Sequence, residues 1–403
     1  MNYSYGITRP PSCLIFGLGQ RAALGRVATS LGKRALICTD QRLSNSPLIR
    51  EAQADLSEQG VESRIFDGTD PELPLGGILD CVSRYRAFDP EVLIGIGGGS
   101  CMDLAKVASL LLTYPDNPIS KYYGELKVPG RIKPVVAIPT TAGTGSEVTP
   151  VAVIGDPERS VKVGISSPWL IPHTAICDPE LTLSCPSSLT GLSGADALAH
   201  AIEAFTAIRR VPDPAMASNR VFVGKNVLSD HYALVAIKLI SGNLAKAVEH
   251  GSDIEARSAV MLGSTYAGLA FGTAGTCAAH AIQYPVGAKT HTPHGLGIGT
   301  LLPYTMEFNK KTSEREYAQV AQAMGLGPFN SDHDATQATI SAIRTLFHRI
   351  GIPNSLRDLG VREEDLNSMA EQSLGATRLI ENNPRALDLD SIRSILDHSL
   401  RGA

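Results

Sequence analysis

No stretch of the 403-residue chain reaches the roughly 18 consecutive apolar residues that a membrane-spanning helix requires. A helical membrane protein is not expected. Basic runs are also missing, and 36 Lys plus Arg against 40 Asp plus Glu leave a net charge of -4. A role on nucleic acid or an anionic membrane surface therefore has no electrostatic footprint. The seven cysteines, Cys13, Cys38, Cys81, Cys101, Cys177, Cys185 and Cys277, form an odd set without a CxxC spacing. Reduced thiols in a cytoplasm are the economical reading for a chain too long to need staples. The opening MNYSYGITRPPS lacks the basic segment and apolar stretch of a secretory leader, so a soluble cytoplasmic protein is expected. What is present is ordinary globular composition, 43% hydrophobic and 19% charged, in a chain long enough for two or three domains.

The first 185 residues alternate short apolar runs with helix-length stretches. The runs are Arg34 to Cys38, Ser63 to Phe66, Glu91 to Ile96, Pro134 to Ile138 and Thr174 to Cys177, and helical stretches such as Pro47 to Gln59 and Leu75 to Arg86 lie between them. Short β-branched runs bounded by Gly, Pro or Asp read as buried parallel strands, so a doubly wound, Rossmann-like α/β domain is expected over 1–185. From 186 to 403 helical periodicity dominates, at Gly194 to Ala207, Ala233 to Glu249, Asp253 to Ala270 and Asp334 to Ile350, which predicts an all-α second domain. Arg209 to Asp230 is rich in turn formers and reads as an inserted loop, either a wall of a substrate site or a surface segment.

Ile94 to Asp103, IGIGGGSCMD, falls where a strand ends and a helix begins. Gly97, Gly98 and Gly99 let backbone approach a charged group, and unpaired amides at a helix start bind phosphate. Ile138 to Thr149, IPTTAGTGSEVT, supplies hydroxyl donors after a second strand. Two such loops at the carboxyl edge of one parallel sheet point to one nucleotide. Asp40, closing ALICTD, is placed to accept from a ribose hydroxyl and to repel a ribose phosphate.

In GADALAHAIEAF, Asp196 and His200 are four residues apart and share a helix face. GTCAAHAIQYPVGAKTHTPHG adds His280, His291 and His294. Three imidazoles and a carboxylate from Asp196, His200, His280 and His294 suit zinc, or iron with open positions. His291 sits among exposed Lys and Thr and is left out.

GGGSxxD at Gly97 to Asp103, PTTAGTGSE at Pro139 to Glu147, GxDALxHAIE at Gly194 to Glu203 and HxxxxPxG…TPHG at His280 to Gly295 occur in this order along almost the whole chain. The pattern resembles the iron-containing (group III) alcohol dehydrogenases. The resemblance implies a dehydroquinate-synthase-like architecture, with a dinucleotide domain, a helical domain and a cleft holding the nicotinamide and a divalent metal. It implies Asp196, His200, His280 and His294 as metal ligands. Gly97, Gly98, Gly99, Ser100, Asp103, Thr140, Thr141, Thr144, Thr149 and Lys162 become cofactor contacts, and Asp40 the residue favouring NAD over NADP. Iron is the family's metal, and zinc or manganese suits the same donors. Three features depart from the family pattern. Tyr284 stands where many members carry a histidine, Glu72 and Leu73 replace a frequent Asn and Pro, and the loop at 209–230 is longer than in small-diol reductases.

The expected activity is hydride transfer between NAD(H) and a primary alcohol or aldehyde. Tyr284 is a candidate proton relay and Phe271 a candidate wall of the substrate pocket. The alternative is a dehydroquinate-synthase-like lyase, disfavoured because Lys289 is the one basic residue offered around His280 and His294 for a phosphorylated substrate. The expected partners are a small alcohol or aldehyde and a second copy in a homodimer, with neither nucleic acid nor membrane.

Overall fold

The computed structural model describes residues 5–158 and 162–402. The chain forms two units that divide between Ser184 and Cys185, with two short exchanges: residues 5–8 belong to the helical unit, and Ser218–Val221 to the α/β unit. Within the helical unit, Ile7 N–H donates to Asn226 Oδ1 at 3.3 Å. Within the α/β unit, Arg9 donates to the Val221 carbonyl at 2.8 Å and Val221 N–H to Glu125 at 3.1 Å.

Among the described residues, nine strands lie in the α/β unit: β1 (Cys13–Phe16), β2 (Arg34–Cys38), β3 (Glu62–Phe66), β4 (Val92–Gly97), β5 (Gly124–Glu125), β6 (Val135–Pro139), β7 (Val151–Ile154), β8 (Val163–Ser166) and β9 (Thr174–Cys177). Six form one parallel sheet in the order β1-β9-β6-β4-β2-β3. Along β2, Leu36 and Cys38 enter one core while Ala35 and Ile37 enter the other, so helices bury both faces. Burial on both sides is why these strands read as unbroken apolar runs. The chain moves outward from β2 to β3, then returns past β2 to β4, and this reversal makes the β2/β4 crevice the topological switch point. Asp40 follows β2, and Gly97 ends β4 with Gly98 and Gly99 directly after it.

Two features lie outside the sequence expectation. Edge strand β1 and the small sheet β5-β8-β7 have four residues or fewer per strand and are largely half-exposed, too short for a periodicity to register.

The second unit has no strand among the described residues. Its long helices are Ser187–Thr206, Val227–Glu249, Ile254–Ala274, Ala278–Thr290, His294–Ala323, Asp332–Arg349 and Leu389–Arg401. Gly194 permits one close packing: a Cβ there would stand 2.2 Å from Leu244, so the helix Ser187–Thr206 lies tight against Val227–Glu249. The loop after Ala207 ends earlier than the turn-forming composition implied. Asn226 is a helix cap, accepting from Leu228 N and Ser229 N, and residues 227–230 are the first turn of the next helix. Asn favours both turns and caps, so composition alone did not separate them.

Candidate active site

The helix Ser187–Thr206 carries Asp196 and His200 one turn apart, His280 is the third residue of Ala278–Thr290, and His294 is the first of His294–Ala323. Three separate elements thus converge. Asp196 Oδ1 lies 3.8 Å from His200 Nε2, 3.6 Å from His280 Nε2 and 3.8 Å from His294 Nε2. These separations are too long for hydrogen bonds. They match the roughly 3.4 Å between donors that share a cation at about 2.1 Å in a tetrahedron. The donor atoms of Asp196, His280 and His294 all lie within 4.8 Å of one another, a group that does not include His200. His200 is stacked between Phe271, at 4.1 Å, and His280, at 4.6 Å.

Asp196 Oδ1 and His280 Nε2 are buried and have no hydrogen-bond partner among the described residues. A buried acceptor left so costs about 1–3 kcal/mol, so this donor set fits a cation that satisfies both atoms. The electrostatics agree. Burial pushes the Asp196 carboxyl up, but the imidazoles of His200, His294 and His280 outweigh it and hold it well below the usual carboxylate range. Burial lowers His280, and Glu203 with Asp196 raises it to about 9.

Glycine makes the approach of the third ligand element feasible. A Cβ on Gly295 would lie 2.3 Å from the Leu192 carbonyl oxygen, so the residue after His294 must be glycine for this helix to start against the ligand helix. His291, excluded from the ligand set, caps the preceding helix with φ +54°. Phe271 is buried against His200. Tyr284 is half-buried one turn beyond His280, and burial pushes its phenol up.

In the α/β unit the two polar loops touch. A Cβ on Gly99 would stand 2.7 Å from Thr144, whereas one on Gly98 would meet only Thr141, at 3.8 Å. Gly97 adopts φ +149°, and Gly98 starts the helix Gly99–Thr113, whose second residue is Ser100, without a side-chain cap. Thr140 Oγ1 and Thr149 Oγ1 are buried without a partner among the described residues. An uncapped helix start beside an open glycine and spare hydroxyls fits a phosphate-bearing ligand. Asp40 caps a short helix by accepting from Leu43 N at 2.9 Å and is 3.8 Å from Arg42. Lys162 pairs with Glu72, one of the two residues that depart from the family pattern, and both Glu72 and Leu73 have positive φ.

Asp103, expected among the cofactor contacts, has both carboxylate oxygens engaged by protein donors. One oxygen accepts from Ser146 at 2.5 Å and the other from Val153 N at 2.9 Å, which ties the glycine helix to the threonine loop.

Two further residues had drawn no sequence reading. Lys106, fully buried, donates to Ser146 Oγ at 2.8 Å and to the carbonyls of Thr149 and Val151, completing that tie. Glu203, seven positions beyond Asp196, contacts His280. The signal was available as a third charged or imidazole side chain at i, i+4, i+7 in a helix of small apolar residues.

Two family models cover the chain: iron-containing alcohol dehydrogenase over residues 11–179, and its C-terminal family over 190–400. The chain belongs to the iron-containing alcohol dehydrogenases. It is an oxidoreductase of that family, which sets the lyase alternative aside. Sulfoacetaldehyde reductase of Bilophila wadsworthia (strain 3_1_6) is 33% identical over 388 residues, 95% of this chain and 96% of that protein. The crystal structure of a 1,3-propanediol oxidoreductase superposes with a TM-score of 0.91 at 32% identity, covering 98% of this chain and 100% of that one. Sulfoacetaldehyde reductase from Bifidobacterium kashiwanohense, solved in complex with NAD+, gives a TM-score of 0.82 at 28% identity over 99% of each chain. No helix among the described residues of this iron-containing dehydrogenase is long and apolar enough to cross a membrane.

Proposed function

We propose that this family member moves a hydride between NAD(H) and a small primary alcohol or its aldehyde, using a divalent cation held by Asp196, His200, His280 and His294. The observation that carries the reading is the convergence on Asp196 Oδ1 of three imidazoles, with two buried polar atoms left to be satisfied. When bound, the cation supplies Lewis acidity toward the substrate oxygen. The family points to iron, and zinc or manganese suits the same donors.

The chain's own groups do the rest. Asp196 brings the negative charge that balances the cation, and Phe271 fixes the His200 plane by stacking. Tyr284, on the face of His280, serves as the exit for the proton, and Phe271 borders the substrate. Gly97, Gly98, Gly99 and Ser100 cradle the cofactor pyrophosphate. Thr140, Thr141, Thr144, Thr149 and Lys162 bind its phosphate and ribose oxygens, and Asp40 accepts from the adenosine ribose.

We further read the enzyme as a cytoplasmic homodimer. In support, β1 is an edge strand on which Leu14 is exposed, and an open edge invites pairing with a second copy. Light scattering of the purified chain tests the dimer.

The central test is NADH turnover over a panel of aldehydes before and after chelation. Chelation should abolish turnover, and His280→Ala should lose most bound metal and nearly all activity. A variant that keeps both refutes the ligand assignment.

A further inference from the structure

Two carboxylates, not one, are buried at the imidazole cluster. Asp196 faces the three Nε2 atoms, and Glu203 lies behind His280 on the same helix. Glu203 Oε2 accepts from His280 Nδ1 at 2.5 Å and from Cys277 N at 3.0 Å, and its Oε1 accepts from Ala279 N at 2.7 Å. Three donors therefore meet on one carboxylate that is 4% exposed. The two backbone amides belong to the start of the helix that carries His280, which has no side-chain cap of its own. A carboxylate there also complements the positive end of the helix dipole.

An imidazole whose Nδ1–H donates to a carboxylate presents a bare lone pair at Nε2. That Nε2 is the buried, unpartnered atom 3.6 Å from Asp196 Oδ1. We propose that Glu203 is a positioning residue that fixes the tautomer and ring orientation of His280 and thereby sets the affinity of the site for a divalent cation. The proposal rests on the reading of Asp196, His200, His280 and His294 as metal ligands. A second buried negative charge also brings the cluster to two carboxylates, matching a dication. The competing role is purely structural: a cap for one helix, contributing to folding and indifferent to metal.

Glu203→Gln separates the two roles. With its oxygen at the Oε1 position, the glutamine amide keeps an acceptor for Ala279 N while Cys277 N loses its own, so capping persists in part. Its NH2 group then faces His280 Nδ1, which must accept, and the ring proton moves to Nε2 where the cation should bind. Glu203→Asp keeps the charge but shortens the reach to the ring.

Zinc affinity of the full chain is measured by competition with a chromophoric chelator, alongside NADH binding by fluorescence and thermal unfolding of the metal-free protein. The expected result is zinc binding weakened about 10- to 100-fold in Glu203→Gln and by a smaller factor in Glu203→Asp, with NADH binding unchanged. Wild-type zinc affinity in either variant overturns the proposal. So does a lowered unfolding temperature with unchanged affinity of the folded fraction. If Glu203→Gln fails to fold, Glu203→Asp alone decides. A wild-type protein that binds no zinc, iron or manganese would instead refute the ligand reading on which the proposal stands.

Discussion

Lys106 has a buried ammonium with Asp103 at 3.6 Å, and its three hydrogen bonds end on Ser146, Thr149 and Val151, in and just after the threonine loop. Burial pulls its pKa down and the nearby carboxylates Asp103 and Glu147 oppose that. Removing one member of a buried charged network leaves the other uncompensated, so Lys106→Met should cost about 3–5 kcal/mol by urea unfolding. It should also weaken NADH binding, since the loops lose their register. An unchanged midpoint would show the tie to be dispensable. Asp40 needs a test that separates its two roles, helix cap and ribose acceptor. Asp40→Ser retains the cap and removes the charge, so stability should stay within about 0.5 kcal/mol while the preference for NADH over NADPH falls. Asp40→Ala should lose about 1 kcal/mol as well. Steady-state KM for both cofactors with each variant checks this, and a serine variant with wild-type preference removes Asp40 from the selectivity argument.

Whole helices meet at the site because glycines permit their approach. Gly295→Ala would put a methyl group 2.3 Å from a backbone carbonyl that cannot swing away, so the helix His294–Ala323 must back off from Ser187–Thr206. Metal affinity should then fall at least about tenfold, as expected when a ligand is displaced from a shared ion, and metal content after dialysis measures it. The loop after Ala207 shows the same dependence on contacts. Lys225 donates to the Phe205 carbonyl at 2.7 Å and to Asp230 at 2.8 Å, with its ammonium 3.6 Å from the Phe205 ring centroid. It therefore fastens the end of the ligand helix. Excising the loop through residue 225 would disturb that helix along with any substrate wall, whereas Lys225→Met isolates the anchor. The expected cost is about 2–4 kcal/mol, because Asp230 stays largely buried, with Arg209 at 3.5 Å as its one remaining salt-bridge partner among the described residues. A cost below about 0.5 kcal/mol would place this pair among the surface pairs that matter little.

At the scale of the molecule, each unit holds its own candidate ligand set, and ligand binding should stabilise the native chain by mass action. A cation at about a thousand times its Kd adds about 4 kcal/mol. Chelation should lower the unfolding temperature, and added zinc or iron should restore it in the wild type but not in His280→Ala. Equal unfolding temperatures with and without chelator would contradict a cation bound at Asp196, His280 and His294.

The sequence by itself determined the class and order of the main elements, because strands buried on both faces and amphipathic helices leave local periodicities. It also marked the four candidate ligands and both candidate nucleotide loops, whose glycines, hydroxyls and imidazoles are unusual wherever they occur. Tertiary structure decided which residues support them. Glu203 and His280 are 77 positions apart, and Lys106 and Ser146 are 40. Asp103 sits in a phosphate-type motif, yet both of its oxygens are taken by protein donors. A carboxylate or ammonium in a chain carries no local sign of burial or of its partner. Its role follows from desolvation and from donors that only the packed helices and sheet bring within hydrogen-bonding distance.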